Sequence, residues 1–387
     1  MSKKLKIAIY SGDIPSTVFI ERLIAGLSKK HCEIYLFGFI KNKVDYNTSI
    51  SVFAYKNTKF QKAIYFIKYS FLLLLFKNKE KNSLDKILKK QSKNILLDKV
   101  KFYPVLWHQP DIFHIQWAKG LKDWVWVKEF GIKLVLSLRG AHINYSPIAD
   151  LELADDYREN FPKVDAFHAV SKAIAKEAEK YNASKNKIQV IYSGLSLNEK
   201  LNISIKEQKV FNIISIGRAH WIKGYTYAID ASKILKDQGL KFEYTIVGAT
   251  NNIEFAYQIH DLKLTDEVNL LDKLTYDSVQ QLILNADLLL LPSVEEGIAN
   301  VVLEAMHNKT LVLTTNCGGL SEVIKDGDNG FIVPIRDSSA MAKKILEIAE
   351  LTDSKKESII ENAFQTIKAN HREQQMVDNM LALYKSI

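Results

Sequence analysis

The sequence predicts an α/β protein with two doubly wound, Rossmann-like domains facing each other across a cleft. Three observations predict it. Short apolar runs alternate with stretches of helical spacing along most of the chain, the pattern of parallel sheets with crossover helices. The 387 residues exceed the roughly 250–300 at which a single core stops growing. The alternation also breaks once, at 197–209 (LNEKLNISIKEQK), which is polar, aperiodic and the best linker, and then restarts. The expected first domain is therefore 1–197, and the second begins at 198.

In the first half, Leu5–Tyr10 reads as a strand, Ser11-Gly12-Asp13 as a turn, Val18–Lys30 as a helix and Glu33–Phe39 as a strand. This β-loop-α-β opening lacks the G-x-G-x-x-G dinucleotide fingerprint. A basic helical region follows. Asp111–Gln116, Lys133–Leu138, Ala166–Val170 and Lys187–Tyr192 are further strands, and Lys172–Tyr181 is a helix. Trp117, Trp124 and Trp126 read as packing residues more readily than as a sugar platform. In the second half, strands are expected at Val210–Ile216, Phe242–Val247, Val268–Leu271, Leu288–Leu291 and Leu311–Thr315, with Phe331–Val333 extended. Helices are expected at Tyr225–Gln238, Glu254–Leu262, Asp277–Asn285, Asn300–Met306 and Leu320–Lys325, and after residue 335.

Composition bounds the class. With 47% hydrophobic and 25% charged residues the chain can bury a large core, which excludes disorder. Cys32 and Cys317 are far apart without ligand spacing, which argues for a reducing compartment and against a disulfide scaffold or zinc site. MSKKLKIAIY reads as a first strand, not a signal peptide.

The formal charge of +9 is uneven: residues 41–101 hold fifteen lysines and four acidic residues. Within them Ala63–Phe76 (AIYFIKYSFLLLLF) is too short to span a bilayer core of ~30 Å. Two readings stay open: an apolar helix flanked by Lys56, Lys59, Lys62, Lys77, Lys79 and Lys81 at an anionic membrane surface, or a core helix with a solvated lysine rim. No nucleic-acid module is visible, so no nucleic-acid partner is expected.

The most informative stretch is Asp287–Met306, DLLLLPSVEEGIANVVLEAM. An apolar strand closes at Pro292-Ser293, a loop carries Gly297, and a helix starts with Asn300 as its expected N-cap. Strand, tight loop and helix start is a phosphate-holding geometry. Glu296 and Glu304 can face one pocket; alternatively they are solvated carboxylates beside a capped helix.

These residues resemble a known family. Glu296-Gly297-x-x-Asn300-x-x-x-Glu304 is similar to the E-x7-E motif of family 4 retaining glycosyltransferases. Gly217-Arg218 with Lys223-Gly224 resembles that family's G-R-x-x-x-x-K-G loop. Gly318-Gly319-x-x-Glu322 and Asp326-Gly327-x-x-Gly330-Phe331 resemble its next block. Ser171 opening a helix and Ser193-Gly194-Leu195 fit more loosely, so the match is strong over 215–335 and rests mainly on strand order before that.

The resemblance implies a GT-B architecture. A nucleotide-sugar donor, by default a UDP-sugar, is held by the second domain and an acceptor by the first, and a final helix near 372–387 returns to the first domain. It implies that Arg218 and Lys223 meet the diphosphate, Glu296 the transferred sugar and Glu304 the ribose. Gly217 and the backbone through Gly297, Ile298, Ala299, Asn300 and Val301 line the donor, and Lys273 and Leu274 lie near the base. No convincing Asp-x-Asp metal pair precedes a strand end, Asp326-Gly327-Asp328 being better explained as a turn, so transfer without metal or other cofactor is expected.

The departures matter too. Arg139-Gly140, with His142 two residues on, replaces the common His-Gly, so either Arg139 or His142 could face the sugar, a structural role being the alternative for each. Ile298-Ala299 replaces Phe-Gly or Phe-Pro and alters the pocket wall. The loop Ser11–Thr17 lacks paired glycines, leaving Gly12 and Ser16 as candidates for acceptor or phosphate contact.

The functional expectation is a cytoplasmic transferase, peripheral on the inner membrane face, that extends a bacterial cell-surface polysaccharide or lipopolysaccharide on a glycan or lipid-linked acceptor. The alternatives are a soluble small-molecule acceptor, or a nucleotide-sugar-binding protein without turnover.

Overall fold

The computed structural model describes residues 4–196 and 210–387. The expected linker at 197–209 lies outside the described residues. The chain forms two compact units: residues 1–170, 174–191 and 373–387, and residues 171–173 and 192–372.

The first unit is built on a seven-stranded sheet in the order β3-β2-β1-β4-β5-β6-β7. Its strands are β1 (Leu5–Ile14), β2 (Cys32–Ile40), β3 (Ile50–Tyr55), β4 (Ile112–Ile115), β5 (Lys133–Leu138), β6 (Ala166–Ala169) and β7 (Ile188–Val190). The second holds a six-stranded sheet, β10-β9-β8-β11-β12-β13. Those strands are β8 (Phe211–Ile216), β9 (Phe242–Val247), β10 (Val268–Leu271), β11 (Leu288–Leu291), β12 (Leu311–Thr315) and β13 (Phe331–Val333). All the pairings are parallel. Central strands such as β4 and β11 are buried at every position, which is why they read as unbroken apolar runs.

The architecture is thus two Rossmann-like α/β units, as expected, but four local expectations fail. The predicted turn at Ser11-Gly12-Asp13 is strand. β1 continues to Ile14 with a register shift between Tyr10 and Gly12, and the Gly12 carbonyl occupies the space a Cβ on Gly38 of β2 would need. β3 was hidden by the lysine-rich composition around it, and it opens a region expected to be helical throughout. The predicted helix Leu320–Lys325 is only a 3-10 turn, Leu320–Glu322. Glu322 instead accepts hydrogen bonds from the N–H groups of Lys172 and Ala173 and from the Tyr192 hydroxyl. Finally, Ala299 and not Asn300 is the N-cap of the helix Asn300–His307.

The basic region folds as β3 followed by α2 (Lys59–Phe76), α3 (Asn78–Gln91) and α4 (Ile95–His108), with α1 (Val18–Ser28) preceding β2. Thr58 and Asn94 cap α2 and α4. Tyr69 and Leu73 are the only α2 residues that are buried, so α2 is not a core helix. Trp124 and Trp126 are buried among Tyr10, Phe102 and Phe113, as packing residues.

The C-terminal helix Glu373–Lys385 belongs to the first unit. Val377, Met380 and Leu383 are buried with Ile20, Leu23 and Ile24 of α1, each contributing ~1.5–3 kcal/mol by leaving water. Tyr384 joins a buried polar chain whose proton positions follow from one carbonyl. The Ile191 carbonyl can only accept, so His168 donates through Nε2 at 3.0 Å. His168 Nδ1 then accepts from the Ser137 hydroxyl at 2.8 Å, and Ser137 Oγ accepts from His114 Nε2 at 2.8 Å. His114 Nδ1 is left to accept the Tyr384 hydroxyl at 2.7 Å.

Both histidines are therefore held neutral. Burial lowers the His168 pKa to about 3 and that of His114 well below its ordinary value. Because the unfolded chain takes up these protons near pH ~6.5, stability is present above that pH and falls as pH drops below it. We expect chemical denaturation to show a loss approaching ~1.4 kcal/mol per pH unit per histidine between pH ~6 and ~4. Tyr384→Phe strands the His114 acceptor and should destabilise the protein by ~1–3 kcal/mol at neutral pH in the same measurement.

Candidate functional site

In each sheet the strand order reverses beside the first strand, between β1 and β4 and between β8 and β11. Ligands of open parallel sheets bind beyond the carboxyl ends of the strands at such a point. In the second unit this is where β8 runs into Gly217-Arg218 and β11 into Pro292–Glu296.

Backbone contacts assemble the site there. A 3-10 turn, Trp221–Lys223, follows β8, and the His220 ring accepts from the Ile222 N–H to cap it. The Val294 N–H donates to the Ile222 carbonyl at 2.7 Å, tying the β11 loop to that turn. A third segment, after β12, is tied to the β11 loop: the Gly319 N–H donates to the Gly297 carbonyl at 2.9 Å. A Cβ on Gly318 would lie 1.7 Å from the Glu296 carbonyl oxygen, so no side chain fits there. Likewise a Cβ on Gly224 would lie 2.0 Å from the Pro292 carbonyl oxygen.

This frame holds Lys223 against Glu296, with Nζ 2.5 Å from Oε1. The side chains are 18% and 15% exposed, so water screens the pair only weakly. The Ser293 hydroxyl donates to the same carboxylate oxygen at 3.0 Å. Arg218 is exposed and makes no ion pair among the described residues.

Glu304 is half-buried and accepts from Gln280 Nε2 at 3.2 Å; Gln280 in turn accepts from Asn308 at 2.7 Å. Between the two glutamates the helix Asn300–His307 starts without a side-chain cap. The Asn300 Oδ1 is buried without a hydrogen-bond partner. Ile298 and Ala299 are buried in an apolar cluster with Leu195, Val302 and Leu320, so it is their backbone that follows the loop surface. Leu274 packs on the same cluster, and Lys273 beside it is exposed.

Two residues escaped the sequence reading. Ser293 supports Glu296, and its own carbonyl accepts from the Thr315 hydroxyl. The Tyr225 hydroxyl is buried and unpartnered, 2.8 Å from where a Cβ on Gly217 would stand. Its position directly after Lys223-Gly224 was the available signal.

In the first unit, Arg139 follows β5. It donates to Gln116 at 3.1 Å and stacks 4.5 Å from the Phe19 ring centre. Its Nε is buried without a partner, and burial lowers its pKa to about 9, so it remains cationic at neutral pH. His142 packs on Trp117, with ring centres 5.4 Å apart, and Trp117 meets Phe19 at 6.1 Å. Arg139 and His142 thus share one aromatic patch at the β4 and β5 ends. Gly12 lies within β1, and the Ser16 N–H is taken up by Glu21 at 2.6 Å. Asp326-Gly327-Asp328 forms a turn, in which the Asp326 carboxylate accepts from the Ile332 N–H. Among the described residues no three His, Cys, Asp or Glu side chains gather into a metal-binding group.

Comparison with known proteins agrees with this geometry. The family model described as Glycosyl transferases group 1 matches residues 198–366. A putative colanic acid biosynthesis glycosyltransferase, WcaL of Salmonella typhimurium, is 26% identical over 240 residues, 60% of this chain and 59% of that protein. The amylovoran biosynthesis glycosyltransferase AmsK of Erwinia amylovora is 29% identical over 227 residues, 56% and 55% of the two chains. The matches therefore span little more than half the length of these relatives. Among solved structures, HepE of Anabaena in complex with UDP-glucose superposes with a TM-score of 0.74 at 17% identity, covering 99% of this chain and 100% of that one. Residues 198–366 thus match the Glycosyl transferases group 1 model, within a chain that has the two Rossmann-like units of the GT-B fold.

Proposed function

We propose that the protein is a retaining, metal-independent glycosyltransferase. It moves a sugar, of hexosyl type, from a nucleotide-diphosphate donor, with UDP as the base, to a glycan or lipid-linked acceptor in bacterial cell-surface polysaccharide synthesis. The observation that carries this reading is the Lys223–Glu296 pair at the β8/β11 switch point, five residues from an exposed Arg218 that makes no ion pair among the described residues. Relatives named for colanic acid and amylovoran synthesis support the acceptor class, and a fold-mate holding UDP-glucose supports the donor class.

The chemistry follows from charge. As the sugar–phosphate bond breaks, negative charge grows on the leaving diphosphate and positive charge on the anomeric carbon. Arg218 forks onto the phosphate oxygens and Lys223 swings to them as a point charge. Losing Lys223 frees the Glu296 carboxylate for a hydroxyl of the transferred sugar, where it orients the ring and favours the positive centre. Glu296 acts as an electrostatic group and not as a covalent nucleophile; the leaving phosphate takes the acceptor proton. Glu304 accepts the ribose hydroxyls in place of Gln280. Gly217, the backbone from Gly297 to Val301 and the uncapped helix start receive the sugar and phosphates, and Lys273 and Leu274 adjoin the base. Arg139 and His142 of the first unit are the further candidates for contact with the sugar. Cationic side chains supply the counter-charge a metal would otherwise bring.

Titration with UDP-, GDP-, ADP- and dTDP-sugars tests the donor site. We expect binding of a UDP-sugar, and Arg218→Ala and Glu304→Gln to weaken it by ~1.5–3 kcal/mol each, the range for hydrogen bonds to charged groups. Unchanged affinity in both variants would overturn the assignment. Transfer should persist in EDTA, and NMR of the product should show the donor's anomeric configuration retained. Loss of turnover in chelator, or inversion, contradicts the mechanism. Tight donor binding with no transfer to any saccharide acceptor favours the binding-protein alternative.

A further inference from the structure

α2 presents an apolar face that the fold leaves uncovered. Phe60, Ile64, Ile67, Phe71, Leu74 and Leu75 are between 42% and 73% exposed. Their spacing follows the helical repeat, and at ~100° per residue they fill a stripe ~100° wide, running ~22 Å along the helix. Single exposed apolar residues are ordinary; a continuous stripe is not. The opposite face is fastened to the first unit. Tyr69 and Leu73 are buried, the Tyr65 hydroxyl donates to the Ala54 carbonyl at 2.5 Å, and Tyr69 meets His108 at 3.2 Å. The stripe therefore cannot roll inward without breaking those contacts.

The charge around it selects the occupant. Lys59 and Lys68 flank the stripe on either side of the helix and are exposed. They belong to the segment 41–101 with its fifteen lysines and four acidic residues. Of those four acids, Asp85 is taken by Lys81 and Lys99, and Asp98 accepts from Ser92. An apolar protein partner would leave this cationic surround uncompensated, whereas an anionic lipid surface satisfies both parts at once: acyl chains meet the stripe and headgroups meet the lysines. No helix in the described residues is long and apolar enough to cross a membrane, so the contact is with the interface.

We propose that α2 docks the protein on an anionic bilayer, with Ile67 and Phe71 at the centre of the inserted face and Lys59 and Lys68 on the headgroups. The proposal rests on the preceding reading for its purpose, which is access to a lipid-linked acceptor, and on α2 alone for its physics.

Flotation of the full chain with phosphatidylcholine vesicles, with and without phosphatidylglycerol, tests it. The protein should float with the anionic vesicles at low salt and bind neutral ones at least ~10-fold less, because each near-surface lysine contributes about 1 kcal/mol. I67E/F71E, and independently F60E/L75E, should abolish flotation while donor binding stays at the wild-type level. K59Q/K68Q should weaken it roughly fivefold per lysine and flatten its salt dependence. Absence of flotation at every salt concentration overturns the proposal. So does a dimer in sedimentation that I67E/F71E converts to monomer, since a second copy would then be the occupant. Flotation of a protein that binds no nucleotide-sugar would refute the transferase reading and leave the docking surface standing.

Discussion

Every described strand pair is parallel, and that constraint decides where this protein can place chemistry. Parallel strands point all their carboxyl ends toward one edge of the sheet, so the segments that follow them meet there. The reversal between β8 and β11 opens a gap at that edge, because their following segments depart in opposite directions. Arg218, Lys223, Ser293, Glu296 and the start of the helix Asn300–His307 all hang from these two strands. Rigid strands set their spacing, and backbone bonds between loops remove the remaining freedom.

The Lys223–Glu296 pair shows how such a site stores its own readiness. Two opposite charges, both mostly withdrawn from water, are costly apart and tolerable together. In the proposed reaction, a diphosphate that draws Lys223 away turns the Glu296 carboxylate toward a sugar hydroxyl or a developing cation. The Ser293 hydroxyl keeps the carboxylate oriented meanwhile, and Ser293 is itself held through Thr315 of the next strand.

Much of this was legible in the residues. Buried parallel strands are near-continuous apolar runs, so β4, β5, β8, β9, β11 and β12 stood out, and glycines at close approaches marked the loops between them. What escaped depended on contacts distant in sequence. The β1 extension beyond Tyr10 exists because β2 offers a glycine opposite the shift. Glu322 looked like a helix residue because its role, receiving the N–H groups of Lys172 and Ala173, lies some 150 positions away. Asn300 looked like a cap by residue type, but the chain enters the helix one residue earlier. For α2, periodicity alone did not separate a core helix from a surface one; that distinction came from which face the first unit covers.

The return of Glu373–Lys385 to the first unit has a consequence for the order of synthesis. Residues 192–372 form a unit whose strands leave the ribosome in one uninterrupted run. The first unit has its sheet by residue 190, yet α1 still lacks the helix that buries Ile20, Leu23 and Ile24, and His114 lacks the Tyr384 hydroxyl. Of the two units, the one whose strands come earlier is therefore completed later. A product that stops before residue 373 would lose the closure of the first unit.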